Sequence, residues 1–159
     1  VLFVAEEFKG RAVRAARHST RSRVLERLVE QCPGEVLDEL VRELITAALA
    51  LCYNDFGNFV LQRVLEHGTA AHRRALVEAL SVDAASLAKH SVASNVLRCA
   101  LVNCQPREQR LLAEALAADA DGTGLHGLGR HRTASFVVRE VKRVFRAEGP
   151  HDALLEISL

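Results

Sequence analysis

The sequence predicts an all-α fold, an α-solenoid of about four stacked three-helix repeats. Three observations predict it. Four windows of 15 residues align without gaps, starting at Ala15, Leu51, Leu87 and Leu128, at offsets of 36, 36 and 41 residues. Alanine, leucine, valine, glutamate and arginine dominate, and only three prolines interrupt 159 residues, a mixture that favours helix. Apolar residues make up 49% of the chain, which excludes a disordered polymer. One 36-residue unit cannot bury its own apolar faces, but stacked neighbours can.

The units follow in order, with approximate bounds 9–44, 45–80, 81–122 and 123–159. The first contains "AARHSTRSRVLERLV", followed by "GEVLDELVRELITAAL", which has the apolar periodicity of a single amphipathic helix. The second contains "LCYNDFGNFVLQRVL" and then "TAAHRRALVEAL". The third contains "LAKHSVASNVLRCAL" and the helical "EQRLLAEALAADAD", and the fourth "LGRHRTASFVVREVK". Down the aligned windows one column is Val24, Val60, Val96 and Val137, and the next is Leu25, Leu61, Leu97 and Val138. A third is Leu28, Val64, Ala100 and Val141. These columns are the expected packing stripe. His18, Asn54, His90 and His131 share a polar column, which points to a repeated structural or surface role. Both ends of the chain are apolar and there is no methionine, so the sequence reads as a piece of a longer protein.

The net charge of +1 hides an uneven distribution. The four windows hold eleven Lys or Arg against three acids, while the remaining 99 residues hold ten bases against seventeen acids. Basic residues concentrated on one helix per repeat are the footprint of a polyanion partner. The four cysteines, Cys32, Cys52, Cys99 and Cys104, form neither a CxxC pair nor a zinc pattern, and are expected to be buried reduced thiols. No apolar run is long enough to cross a bilayer, and no membrane or metal partner is expected. "GTGLHG" from Gly122 matches a dinucleotide-binding pattern, but a helix precedes it where a strand is required, so it is expected to be a flexible loop. No catalytic constellation and no cofactor motif appears, so the chain is not expected to be an enzyme.

The most informative stretch is "DFGNFVLQRVLEHG", from Asp55. Its apolar stripe is Val60, Leu61, Val64 and Leu65, and Asn58, Phe59 and Gln62 form a separate polar and aromatic cluster. At about 100° per residue, positions i, i+1 and i+4 share one arc, which should face away from the stripe. The equivalent triplets are Ser22, Arg23 and Glu26; Ser94, Asn95 and Arg98; and Ser135, Phe136 and Arg139. Each middle residue can present a flat face, and each outer pair varies in donors and acceptors. A stacking group between two variable polar groups is what recognition of an unstacked base requires.

These stretches resemble the PUF (Pumilio) family of RNA-binding repeat proteins. "FKGRAVRAARHSTRSRVLERLVEQC" is similar to that family's fifth repeat and "DFGNFVLQRVLEHG" to its sixth. "AKHSVASNVL" resembles the seventh and "HRTASFVVREV" the eighth. The resemblance implies the C-terminal half of an eight-repeat crescent, made of Pumilio-type three-helix repeats. Its concave face would bind single-stranded RNA, one base per repeat, with the RNA antiparallel to the protein. Carried over residue by residue, Asn58, Phe59 and Gln62 match the uracil pattern, and Ser22, Arg23 and Glu26 the guanine pattern. Ser94 with Arg98 and Ser135 with Arg139 depart from the usual repeats at these places and resemble the cytosine-accepting pattern. Arginine only donates, and cytosine's O2 and N3 only accept. The four units together suggest 5′-C-C-U-G. The resemblance further implies binding to mRNA 3′ untranslated regions in post-transcriptional regulation of translation or stability. Regulatory proteins would dock on the convex face, and the location would be the cytoplasm, with the nucleolus as the other candidate. The alternatives are a solenoid that binds nucleic acid without selectivity and a protein-binding helical scaffold.

Overall fold

The structure, a computed structural model, describes residues 2–118 and 124–147. Among them are twelve α-helices, one 3-10 turn and no strand. After α1 (Leu2–Phe8) the helices come in threes. The first unit holds α2 (Ala12–Ala16), α3 (Arg21–Gln31) and α4 (Asp38–Thr46), the last preceded by the 3-10 turn Gly34–Leu37. The second holds α5 (Ala48–Cys52), α6 (Gly57–His67) and α7 (Ala70–Ser81). The third holds α8 (Ala84–Lys89), α9 (Ala93–Asn103) and α10 (Pro106–Ala117), and the fourth α11 (Gly124–Arg130) and α12 (Ala134–Ala147).

Equivalent helices pack on one another. The second helices α3, α6, α9 and α12 form one ladder, and the third helices α4, α7 and α10 form another. The short first helices α2, α5 and α8 each touch both other helices of their unit. This is the quasi-one-dimensional arrangement of an α-solenoid, in which each unit buries its apolar columns against its neighbours. Leu25, Leu61 and Leu97 are fully buried, as are Val60, Val96 and Val137. Burying each such side chain stabilises the fold by about 1.5–3 kcal/mol. Val24, expected in the same stripe, is instead 39% exposed. Its equivalents sit on helices with a ladder neighbour on the preceding side, whereas among the described residues no ladder helix precedes α3.

The polar column Asn54, His18 and His90 sets where the second helices begin. Asn54 Oδ1 accepts from the backbone N–H groups of Phe56 at 3.0 Å and Gly57 at 2.9 Å. His18 Nδ1 accepts from Thr20 and Arg21, and His90 Nδ1 from Val92 and Ala93, at 3.2 to 3.4 Å. The backbone carbonyls of the same residues accept from Ser22, Asn58 and Ser94 four positions on. These side chains therefore satisfy N–H groups that a helix start leaves without partners. The role of this column is structural. Asn54→Ala should cost about 1 kcal/mol, within the usual range for a lost cap, measured as a lower urea midpoint with unchanged slope.

A second column ends the same helices. The N–H groups of Cys32, Gly68 and Cys104 close on the carbonyls of Leu28, Val64 and Ala100. Thr69 then starts α7 by accepting from the His72 N–H at 3.1 Å, while His72 Nδ1 accepts from the Thr69 N–H at 3.2 Å. The buried His72 ring also bonds through Nε2 to Asp38 Oδ1 at 2.6 Å, tying α7 to the start of α4. Gly34 allows the close approach of these units, since a Cβ there would lie 2.3 Å from Thr69 Cγ2. The segment expected as one helix, "GEVLDELVRELITAAL", is broken. It opens with a 3-10 turn, and Ala47 leaves helical geometry at φ −111°, ψ 19°. That break lets the chain leave one third helix and begin the next unit.

Candidate functional site

The four candidate triplets lie on α3, α6, α9 and α12, one to each second helix. In each triplet the middle residue is exposed: Arg23, Phe59, Asn95 and Phe136. Phe59 is 49% and Phe136 50% exposed, large values for apolar rings within well-packed helices. The third members differ in accessibility. Arg98 and Arg139 are exposed, whereas Glu26 and Gln62 are half-buried.

The first members depart from expectation. Ser22, Asn58 and Ser94 are buried, Asn58 to 1% exposure, and Ser135 is half-buried. The helical wheel places them beside the middle residues, but they stand on the first turn, against the cap. There they fold back onto the loop. Asn58 Nδ2 donates to the carbonyls of Asn54 at 2.8 Å and Asp55 at 3.1 Å. The Ser22, Ser94 and Ser135 hydroxyls donate to the carbonyls of Ser19, Ser91 and Arg132. Asn58 also accepts from Gln62 Nε2 at 3.0 Å. In the second unit Asn58 thus braces Gln62, whose carbonyl oxygen and second amide hydrogen remain to meet a ligand.

In the fourth unit the Arg139 guanidinium carbon lies 5.5 Å from the centroid of the Phe136 ring, a cation–π pair within one triplet. Beside the ladder, the Tyr53 and His90 rings meet edge to face at 4.8 Å, joining the loops of the second and third units.

The basic stripe is narrower than its composition. Arg63 reaches Glu26, Glu30 and Glu66, and Arg27 pairs with Glu30 at 2.9 Å. Arg27 and Arg63, both basic residues of the windows, are therefore engaged with carboxylates. The spacing of Arg27 with Glu30 and of Arg63 with Glu66, three residues apart in both units, was the sequence signal for this network. Exposed cations remain at Arg17, Arg21 and Arg23 in the first unit, Arg98 in the third, and Arg130, Arg132, Arg139 and Lys142 in the fourth.

All four cysteines are free thiols. Cys52, Cys99 and Cys104 are buried as expected, whereas Cys32 is half-buried because it ends α3 at the surface. Burial pushes the Cys52 and Cys99 thiols up to about 12 and the Cys104 thiol to about 11, so they stay protonated at neutral pH. Of "GTGLHG", Gly122 and Thr123 lie outside the described residues, and Gly124 to Gly127 open α11 instead of forming a loop. Gly124 has φ +52°, which favours glycine. No group of His, Cys, Asp or Glu that could hold a metal ion occurs among the described residues, and no described helix is long and apolar enough to cross a membrane.

This architecture has clear relatives among known folds. The family model described as the NOP9-like PUF repeat domain matches residues 11–125. The solved Puf4 RNA binding domain bound to an HO endonuclease RNA 3′ UTR recognition sequence superimposes with a TM-score of 0.82 at 19% identity, covering 96% of this chain and 46% of that one. PUF-8 in complex with PBE-RNA gives 0.81 at 18% identity, with 98% and 46% covered. The RNA-binding domain of yeast Puf5p bound to MFA2 RNA gives 0.81 at 11% identity, with 97% and 42% covered. The chain thus spans less than half the length of these solved domains, and at such identities the likeness is one of fold. No curated protein sequence matches it. The family model covers well over half of the chain, through three of the four second helices, and the chain belongs to the family of NOP9-like PUF repeat domains.

Proposed function

We propose that the chain binds single-stranded RNA along the outer arc of α3, α6, α9 and α12, one base to a unit, with a sequence preference. The observation that carries this reading is the row of exposed flat groups, Arg23, Phe59, Asn95 and Phe136, at one position of four stacked helices. Every base offers a π-face, so such a row can hold a strand whose bases are unstacked. Beside it, Glu26, Gln62, Arg98 and Arg139 differ in hydrogen-bonding character, which is the property needed to distinguish base edges. RNA-bound relatives of the same fold support the reading. The preferred segment is 5′-C-C-U-G, with Arg139 on the first base and Glu26 on the last. The biological setting consistent with this is post-transcriptional regulation of mRNA through 3′ untranslated regions; the Puf3 and Puf4 RNA binding domains of the same fold are bound to 3′ UTR recognition sequences. Regulatory proteins would use the α4, α7 and α10 side, and the location would be cytoplasmic or nucleolar.

A second reading, RNA binding without selectivity, is favoured by one observation. Ser22, Asn58 and Ser94 are buried and hydrogen-bonded internally, which leaves fewer groups for base edges. Selection from a randomised RNA pool separates the two. Enrichment of a C-C-U-G-like segment is expected, and enrichment of no sequence would establish the unselective reading. Salt titration tests both. With about three or four phosphates contacted, log affinity against log salt should have a slope of roughly −2 to −3. A flat response would remove the basic face from the interface, and failure to bind any RNA would overturn the proposal.

A further inference from the structure

One side chain on this face serves neither stacking nor base reading. Arg63 leaves α6 and crosses to α3. Its Nη1 donates to Glu66 Oε2 on its own helix at 2.5 Å. Its Nε lies 3.0 Å from Glu30 Oε1, an ion-pair contact whose geometry is not that of a hydrogen bond, and 3.7 Å from Glu26 Oε2. Arg27 takes the other oxygen of Glu30 at 2.9 Å. On the far side, the Cys99 thiol of α9 contacts Glu66 Oε1 at 3.8 Å, and His67 Nε2 lies 3.8 Å from Glu66 Oε2. Three half-buried carboxylates from two units therefore share two guanidiniums, and only Arg63 touches all three.

Glu26 is the carboxylate assigned to guanine. At 3.7 Å its contact with Arg63 is longer than a hydrogen bond, so the cation offsets its charge without filling its acceptor sites. Arg27 cannot substitute. It adjoins Glu26 in sequence, so the two side chains diverge around the helix, and it is held by Glu30. Without Arg63, Glu26 would face Glu30 in a partly desolvated site where like charges repel strongly.

We propose that Arg63 is a positioning residue for base selection in the neighbouring unit. It holds Glu26 beside Glu30 with both oxygens free to accept from the N1–H and exocyclic amine of guanine. Selection at the first unit then depends on a side chain of the second, so the two units act as a coupled pair. The inference rests on the RNA-binding reading above.

The test uses the full chain and four RNAs that differ only at the 3′ base of the four-base segment. Wild type, Arg63→Gln, Arg63→Lys and the double variant Arg63→Gln/Glu30→Gln are compared. Arg63→Gln should lose about tenfold of the preference for G, within the range of one bidentate base contact. Its preference for U at the adjacent base should be retained. Arg63→Lys should keep most of the G preference, because charge is what Glu26 requires. The double variant should recover it, because the repelling carboxylate has gone with the cation. The proposal is overturned if Arg63→Gln weakens all four RNAs equally, which marks a phosphate or structural contact, or if its G preference is unchanged. Should Arg63→Gln not fold, a folded Arg63→Lys variant without G preference overturns it equally. Wild type that binds RNA but does not discriminate at this base overturns this inference alone. Wild type that binds no RNA overturns the binding reading and this inference with it.

Discussion

Phe59→Ala is expected to weaken binding of single-stranded RNA by roughly five- to 150-fold, the fold-change that corresponds to about 1–3 kcal/mol for one base on an aromatic platform. The ring is 49% exposed, so its removal leaves no cavity in the core, and the variant should melt within a few degrees of wild type. Neighbouring Val60 and Leu61 hold α6 in place from the opposite side. Fluorescence anisotropy with a labelled C-C-U-G segment, beside a thermal melt, separates lost stacking from lost structure. An unchanged affinity in a folded variant would remove Phe59 from the interface. Phe136→Ala provides an internal comparison. The Arg139 guanidinium already covers one face of that ring, and such a contact is worth about 0.5–1 kcal/mol at an exposed site. A base stacking on Phe136 must share or displace it, so the loss there should be smaller than at Phe59. Equal losses would indicate that Arg139 leaves the ring when RNA arrives.

The sequence carried the architecture because the architecture is repetitive. A column such as Leu25, Leu61 and Leu97 recurs at a fixed interval, and each member is fully buried. Errors arose where the environment depends on something other than the helix's own periodicity. Ser22, Asn58 and Ser94 lie on the same arc as the exposed residues beside them. Their burial comes from the cap turn packed over the helix start, which a helical wheel does not contain. The break at Ala47 was hidden because alanine favours helix, and only the stacking of units requires the chain to turn there. The histidine column was legible as a repeat, but its capping role was not. Histidine is not among the preferred cap residues, and the equivalence to Asn54 becomes meaningful only once the helix starts are known. The Arg63 network needed the register of α6 against α3, which brings Glu26 and Glu30 within reach from more than thirty residues away.

Arg98→Glu should switch the preferred base at the third unit from C to G. Arg98 is exposed on α9, one turn beyond Ser94. Ser94 is buried, with its hydroxyl turned to the Ser91 carbonyl, so under the proposed RNA-binding reading Arg98 would be the principal edge-reading group of this unit. A guanidinium offers only donors, which suits the O2 and N3 acceptors of cytosine. A carboxylate offers only acceptors, so it meets cytosine's lone pairs with repulsion and guanine's two Watson–Crick donors with complementarity. The substitution therefore removes an attraction for one base and adds a repulsion against it, the combination that gives the largest change in specificity. A bidentate contact discriminates by about 1–3 kcal/mol, taken from groove readout of DNA, so each preference should amount to roughly five- to 150-fold. The second base from the 5′ end of the segment should change and the other three should not. The change of two charge units, from +1 to −1, should also lower the affinity for every RNA by a common factor that shrinks at high salt, whereas the ratio between bases should persist. The measurement compares four RNAs differing at that base, at two salt concentrations, for wild type and variant. Equal weakening of all four, vanishing at high salt, would make Arg98 a phosphate contact. Indifference of both proteins to the base would show that the third unit holds the strand by stacking and charge without reading it.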